Sequence, residues 1–398
     1  MRPSGDGWYS SMQHARITSV TGFFTGLECG HCASAFTTTV PYSLCQTCNG
    51  PLLARYDLAS PMMPGLASIL SRPPGQFRFH EVLPTDAGPA TPTLGEGATP
   101  LIPAPALGEA LWIKDESQNP TGSFKARGMA VAMARAVELG LKRFALPSNG
   151  NAGVAAAAYG ALHGVEVDIH MPRATPAALI DEPRAYGARV ELVDGTIADA
   201  AARVADLCAS GEVFNLATLK EPFRIEGKKM MGYELFWDLN GLPDVVIYPT
   251  GGGTGLVGMV KAFDEMETLG WIGPERPRMV SVQVDSCAPI VRAFHSGAES
   301  AEPWVDAGET LAYGLRVPSA IGDRLMLKGL RSTNGTAIAV SEESLLEASD
   351  RLARLAGVRG TPEGGACLVA AESLVGSGWI TPGEQVVMFN TAAAANYR

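Results

Sequence analysis

The sequence predicts an α/β protein, with parallel sheets covered by helices on both faces and a small cysteine-rich segment ahead of them. Three observations carry this. Short apolar runs of strand length alternate with longer helical stretches through most of the 398 residues, the pattern that builds βαβ units. A glycine loop, Thr250-Gly-Gly-Gly-Thr-Gly255, stands between a strand and a helix. Two Cys-x-x-Cys pairs sit near the start.

In chain order, Cys29, Cys32, Cys45 and Cys48 follow the spacing C-x2-C-x12-C-x2-C. Two such knuckles can place four thiolates tetrahedrally around zinc. Residues 1–57 therefore read as a zinc ribbon. Four protein ligands leave no open position, so the metal would be structural. His31 lies between the first pair as a bystander. From Pro84 to Pro105 six prolines with little periodicity read as an extended surface connector. Leu111–Lys114 is a strand, followed by an Asn-Pro-Thr-Gly turn and a helix opening at Ser123-Phe-Lys125. Phe144–Pro147, Val165–His170, Arg189–Val193, Asp244–Tyr248, Met279–Val284 and Gln385–Phe389 read as further strands. Helices are expected over 151–163, 174–186, 197–209 and from the glycine loop through Leu269. In sheets of this kind ligands bind beyond the carboxyl ends of strands. Ser148–Asn151, Thr250–Gly255 and Asn390–Thr391 all fall there, which predicts one site fed by distant loops.

Bulk properties exclude several classes. With 31 basic against 41 acidic residues the net charge is −10, which argues against a nucleic-acid partner. No run approaches the roughly 18 apolar residues of a membrane span. The start, Met1-Arg-Pro-Ser-Gly-Asp-Gly, lacks a signal peptide's apolar segment, so a cytoplasmic, thiol-reducing location is expected. Cys208, Cys287 and Cys367 are isolated and read as small hydrophobes. His80, His163, His170 and His295 have no recognisable partners and read as structural or exposed.

Two features carry chemistry. Lys125 opens a helix, where the positive end of the dipole disfavours its charge. A lysine kept partly neutral is a nucleophile and imine former, although an ordinary surface lysine fits this one feature equally well. The glycine loop lets backbone N–H groups converge on a phosphate at a helix start. No Gly-Lys-Ser/Thr follows it, so it is not a Walker loop. Gly253-Thr-Gly-Leu-Val-Gly258 matches G-x-G-x-x-G, with Asp285 closing the next strand, so a dinucleotide dehydrogenase competes on the loop alone. That reading leaves Lys125 and Ser-Asn-Gly-Asn151 without roles. Pyridoxal phosphate employs all three: an imine lysine, a donor to the ring oxygen and a cup for one phosphate.

Four segments, Thr93–Leu101, Asn119–Gly128, Glu221–Lys229 and Pro249–Leu256, together with the cysteine ribbon, resemble threonine synthase. The resemblance covers nearly the whole chain, with motifs in matching order. It implies a fold-type II pyridoxal-phosphate enzyme (tryptophan synthase β-like), with two three-layer α/β domains and the cofactor between them. Residues 58–129 and 219–398 would form the large domain and 130–218 the small one. It also implies a homodimer acting on a small amino-acid substrate. Carried over by position, Lys125 matches the lysine that holds the cofactor and Phe124 the residue near the ring. Asn151 matches the asparagine that hydrogen-bonds the ring oxygen. Gly251, Gly252, Gly253, Thr254 and Gly255 match the phosphate cup, and Thr391 the hydroxyl facing the pyridine nitrogen. A hydroxyl partner makes the ring a weaker electron sink, which suits elimination.

The sequence also departs from the pattern. The cup is Gly-Gly-Gly-Thr-Gly where threonine synthases commonly have Gly-Asn-Ala-Gly-Asn, and this is closer to threonine and serine dehydratases. Thr218-Leu219 replaces an Asn-Ser pair for substrate phosphate, Ala152 follows Asn151 where threonine is common, and Thr391-Ala-Ala-Ala-Ala-Asn396 replaces a glycine-containing pattern. Among substrate contacts, Ser148, Asn149 and Gly150 suit a carboxylate. Arg224 suits a second anion or an ion pair with Glu226. Glu363 suits an acid–base helper or a helix cap. The expected function is a lyase converting O-phosphohomoserine to threonine. The alternatives are a threonine/serine dehydratase or β/γ-replacement enzyme, and a binding protein that keeps the fold without turnover.

Overall fold

The computed structural model describes residues 22–397; the first 21 residues of the expected ribbon segment, including the start read as lacking a signal peptide, lie outside the described residues. The ribbon is a small antiparallel sheet, β1 (Phe24–Cys29), β2 (Ala35–Phe36) and β3 (Leu52–Tyr56), in the order β2-β1-β3. After the short helix α1 (Leu66–Leu70), the proline-rich segment departs from expectation. It contributes an edge strand, β4 (Leu101–Pro103), that pairs antiparallel with β5 (Leu111–Asp115). It also buries Glu96 and Thr99, so it is a wall of the core and not a surface connector. Prolines fit there because an edge strand has free N–H positions to give up.

α2 (Lys125–Glu138) follows β5 through the tight Asn-Pro-Thr-Gly turn. Residue 129, where the sequence placed a domain boundary, lies inside this continuous helix. The next strands, β6 (Arg143–Pro147), β7 (Glu166–Pro172), β8 (Arg189–Val193) and β9 (Phe214–Asn215), form a parallel sheet ordered β8-β7-β6-β9. Helices α3 (Asn151–His163), α4 (Ala177–Ala185) and α5 (Ile197–Cys208) connect them. The chain then returns to the first sheet through α6 (Arg224–Leu239). β10 (Val245–Pro249), α7 (Thr254–Thr268), β11 (Arg278–Val284), α8 (Pro289–His295), α9 (Asp323–Ser332), β12 (Thr336–Val340), α10 (Glu342–Ala356), α11 (Pro362–Gly376) and β13 (Val386–Asn390) complete it. Its order is β12-β11-β10-β13-β5-β4. Every pairing there is parallel except β4 with β5.

Alternation along β10 shows how this sheet is sealed. Val245 and Ile247 join one apolar cluster with α10 and α11, and Val246 and Tyr248 join the other with α2, α6 and α7. Strands buried on both faces read as continuous apolar runs, which is why Val-Val-Ile-Tyr was legible as a strand.

Helices α2, α6 and α7 pack closer than side chains permit. A Cβ at Gly227 would lie 1.9 Å from the Arg127 carbonyl oxygen, and one at Gly128 would lie 2.8 Å from that of Arg224. One turn of α7 meets α6 the same way at Gly258, whose Cβ would stand 2.9 Å from the Lys229 nitrogen. Arg127 locks the crossing. It is fully buried and binds Glu116 and Glu234 with both ends of its guanidinium at 2.6–2.8 Å. Gly227→Ala would gain about 1 kcal/mol of helix propensity but must push the two backbones away from each other. We expect a net loss of about 2 kcal/mol or more, read as a lowered urea midpoint; an unchanged or raised midpoint would contradict the close crossing.

Candidate active site

Two adjacent strands of the large sheet, β10 and β13, end on one cavity of about 890 Å³, and β6 of the second sheet also ends on it. β10 and β13 are neighbours though distant in sequence. A crevice between such strands is where open α/β sheets bind ligands. Lys125, Ser148–Asn151, Gly251–Gly255, Glu363 and Thr391 all line the cavity. The expected meeting of distant loops is therefore observed. His80, His163, His170 and His295 are not among its lining residues.

Lys125 is the first residue of α2, and its Nζ lies 3.8 Å from the centroid of the Phe124 ring. Its amine is brought down to about 7, by burial first and by the Arg224 guanidinium second, with Glu363 opposing. The helix dipole invoked from sequence is not needed; burial does most of the work. The Phe124 ring meets Tyr248 edge-on at 6.1 Å, and Tyr248 meets Phe389 at 5.2 Å. Phe124 is also tied to β13, its N–H donating to the Thr391 carbonyl at 3.0 Å.

The glycines of the loop form a cradle with no room for side chains at their positions. A Cβ at Gly251 would stand 2.1 Å from the Gly314 carbonyl oxygen, and one at Gly255 would stand 2.1 Å from the Tyr248 hydroxyl. Gly253 has φ +78° and precedes α7, a conformation glycine adopts without strain. The first N–H groups of α7 lack intrahelical acceptors and open on the cavity, as a phosphate requires. Thr254 at this end accepts a hydrogen bond from Lys228 at 2.7 Å.

Several side chains are placed differently from expectation. The Ser148 hydroxyl accepts from the N–H groups of Gly150 and Gly153 at 3.1 and 2.9 Å. It is engaged as a cap on α3 and is not free for a carboxylate. Asn149 Oδ1 is buried without a partner, and Asn151 Oδ1 accepts from Asn396 at 2.7 Å. Asn390 turns away from the cavity: its amide donates to Asp115 and its oxygen accepts from the Thr361 N–H. Arg224 does not line the cavity. Its Nη1 donates to the Leu216 carbonyl at 2.7 Å, and its Nε has no partner. Neither is Glu226 its counter-ion, since Glu226 pairs with Lys229 at 2.7 Å and Lys261 at 3.0 Å. Glu363 faces the cavity and Thr361, not Glu363, caps α11. Its Oε1 accepts from the Gly314 N–H and the Tyr397 hydroxyl at 2.9 Å each, while Oε2 has no partner. Burial pushes this carboxyl up, against the backbone N–H of Gly314.

Sequence reasoning missed Lys228, Tyr313, Asn396 and Tyr397, all cavity-lining. Tyr313 and Tyr397 stack at 6.1 Å. Only Lys228 left a signal: it stands one helical turn after Arg224, so the pair share a helix face.

The ribbon lies apart from this site. The four cysteine sulfurs lie within 4.8 Å of one another, with Cys29–Cys48 at 3.4 Å and Cys32–Cys45 at 3.6 Å. Tetrahedral zinc–sulfur bonds of about 2.3 Å place sulfurs roughly 3.8 Å apart, so the donor set fits that ion.

A lysine depressed toward neutrality and a glycine-walled phosphate cradle, joined at the carboxyl edge of a parallel sheet, define a fold-type II pyridoxal-phosphate enzyme. The model for the family described as pyridoxal-phosphate dependent enzyme matches residues 92–392. Threonine synthase of Methanosarcina acetivorans is 32% identical over 92% of this chain and 90% of its own. Threonine synthase of Methanocaldococcus jannaschii is 34% identical over 80% of this chain and 79% of its own. This chain belongs to the threonine synthase family, a group of pyridoxal-phosphate-dependent lyases. Among solved structures, maize serine racemase superimposes with a TM-score of 0.63 at 21% identity, covering 74% of this chain and 88% of that one. Threonine deaminase isoform 2 of Solanum lycopersicum gives 0.64 at 21%, covering 74% and 79%. These share the fold. Among the described residues no helix is long and apolar enough to cross a membrane.

Lys125 provides a direct test of the site's electrostatics. With its amine lowered to about 7, the neutral, reactive form grows in as pH rises through about 7, well below the ~10.4 of an ordinary lysine. In cofactor-free protein, acylation at Lys125 followed by peptide mapping should show a midpoint near 7. A midpoint near 10 would remove the buried-amine argument.

Proposed function

We propose that this chain releases phosphate from O-phosphohomoserine and adds water to give threonine. The observation that carries the reading is the buried, depressed amine of Lys125 in one cavity with the phosphate cradle, within a chain whose relatives are threonine synthases. Pyridoxal phosphate, when bound, supplies an electron-withdrawing ring conjugated to the substrate's α-carbon. Its phosphate would be held by Gly251–Gly255, its ring beside Phe124, its ring oxygen by Asn151 and its nitrogen by Thr391. Near neutral pH Lys125 can accept the proton from the substrate's α-carbon as a general base. Glu363 holds its carboxyl toward the cavity, and Oε2 is the oxygen free to carry or receive a proton. Asn149 and Gly150 meet the substrate carboxylate; the Ser148 hydroxyl orients that turn from behind. The Tyr313–Tyr397 stack shields Glu363 from water. A cytoplasmic homodimer goes with this reading.

One observation favours a second reading. Arg224, the residue expected at the substrate's phosphate, is bound to Leu216 and kept out of the cavity. Without that cation the same cavity suits β-elimination from serine or threonine, with ammonia as product. Phosphate release from O-phosphohomoserine and ammonia release from serine, threonine and O-acetylserine separate the two. We expect phosphate release to dominate, and Lys125→Ala to lower it by about 10³-fold or more. Ammonia release alone would give the second reading; no turnover of any of the four would leave a cofactor-binding protein.

We further infer a structural zinc ion on Cys29, Cys32, Cys45 and Cys48, supported by their mutual spacing. Purified protein should contain one equivalent of zinc by elemental analysis, and Cys45→Ser should lose it while leaving the cavity's absorbance intact. Metal-free wild-type protein with unchanged stability would count against the ion.

A further inference from the structure

Lys228 is a buried basic residue lining the cavity for which the proposed reaction has no use. It is 1% exposed, and its stem is fixed between helices: a Cβ on Gly128 of α2 would stand 3.1 Å from its Cε. Its Nζ donates to Thr254 Oγ1 at 2.7 Å and lies 4.9 Å from the centroid of Phe124, the same ring that Lys125 approaches at 3.8 Å. The charged groups facing it are Arg224 one turn earlier on α6, Lys125 on α2 and Glu221 in the segment before α6. Glu221 is already committed, its carboxylate accepting from the N–H groups of Phe223 and Arg224 at 2.7–3.1 Å. Among the described residues no carboxylate forms an ion pair with Lys228. Three buried basic groups thus face one another, and the one that touches a cradle residue is Lys228. An amine buried among other basic groups can carry its charge only beside an anion, and the cradle is built to receive one.

We propose that Lys228 is the counter-cation of the cofactor's phosphate, reaching the cradle from α6 and engaging the dianion together with Thr254. The proposal rests on the cofactor assignment and deepens it. Burial first, then Arg224 and Lys125, hold the empty-site amine well below the usual lysine range. An arriving phosphate reverses that balance, and the amine takes a proton from solvent as the anion binds. The phosphate of a substrate is the other source of this chemistry. The hydrogen bond to Thr254, a residue of the cradle itself, favours the cofactor.

Dissociation constants of the cofactor-free protein for pyridoxal phosphate and for pyridoxal, measured by equilibrium dialysis, test this in wild type, Lys228→Met and Lys228→Arg. A charge-assisted hydrogen bond corresponds to about 10- to 100-fold in affinity. Lys228→Met should weaken pyridoxal phosphate by that factor and pyridoxal by less than about 2-fold, and Lys228→Arg should recover most of the loss. Inorganic phosphate should raise the melting temperature of the wild type but not of Lys228→Met. Equal loss of both ligands in Lys228→Met would show packing alone and overturn the proposal. Unchanged pyridoxal phosphate affinity with a raised KM for O-phosphohomoserine would assign the amine to substrate and overturn it too. Wild type that binds neither ligand would bring down the cofactor assignment as well; normal binding by Lys228→Met brings down this proposal alone.

Discussion

The closeness of α2, α6 and α7 is the constraint on which the site depends. Gly128, Gly227 and Gly258 remove the side chains that would hold these helices apart. Each helix then delivers one component: Lys125 from the start of α2 and Lys228 from α6 approach the same Phe124 ring, and Lys228 bonds Thr254 at the start of α7. Arg127, two residues beyond Lys125, fixes the geometry from behind through Glu116 and Glu234. Both its partners are buried, so the charge cluster is fully committed and lends rigidity more than net stability. Helices spaced at the usual 8–10 Å would leave the amines too far from the cradle to act on the same ligand.

Charge is sorted across α6. On its far side Glu226, Lys229, Lys261 and Glu265 form a buried, mutually paired quartet. Toward the cavity Lys125 and Lys228, with Arg224 behind them, repel one another; Glu363 opposes at Lys125 and Glu221 at Arg224 and Lys228. The first arrangement is complete without a ligand. The second is incomplete; burial does most to keep Lys125 a base near neutral pH, and the Arg224 guanidinium adds to it.

Legibility in the sequence followed the range of the interactions involved. The strands, the cradle and the lysine at the opening of α2 are set by local patterns: apolar runs, glycines and a turn before a helix. Their positions emerged within a residue or two. The cysteine ribbon was legible for the same reason, its spacing being a local signature. Arg224 was not, because the direction of a side chain on a buried helix is set by what packs on each face, here the Leu216 carbonyl. Asn390 was assigned to the cavity by position but turns to Asp115 and Thr361, and Ser148, though it lines the cavity, engages its hydroxyl with the Gly150 and Gly153 N–H groups. The proline-rich segment misled because composition reports on backbone freedom and not on burial; Glu96 inside it binds the Tyr159 hydroxyl in the core.

The ribbon is anchored by more than its cysteines. Phe24 meets Phe223 edge-on at 6.2 Å, Lys229 lies over the Tyr56 ring at 4.0 Å, and the Tyr56 hydroxyl donates to Glu226 at 2.8 Å. Tyr56 is thus a lid on the quartet behind α6, supplied by a separate sheet. A shortened form beginning after residue 57 would unroof that quartet, admit water to the back of the helix bearing Lys228, and need a new apolar cover there. The ribbon is therefore a section of the catalytic body's own wall, and cutting it away would be felt on the opposite side of α6.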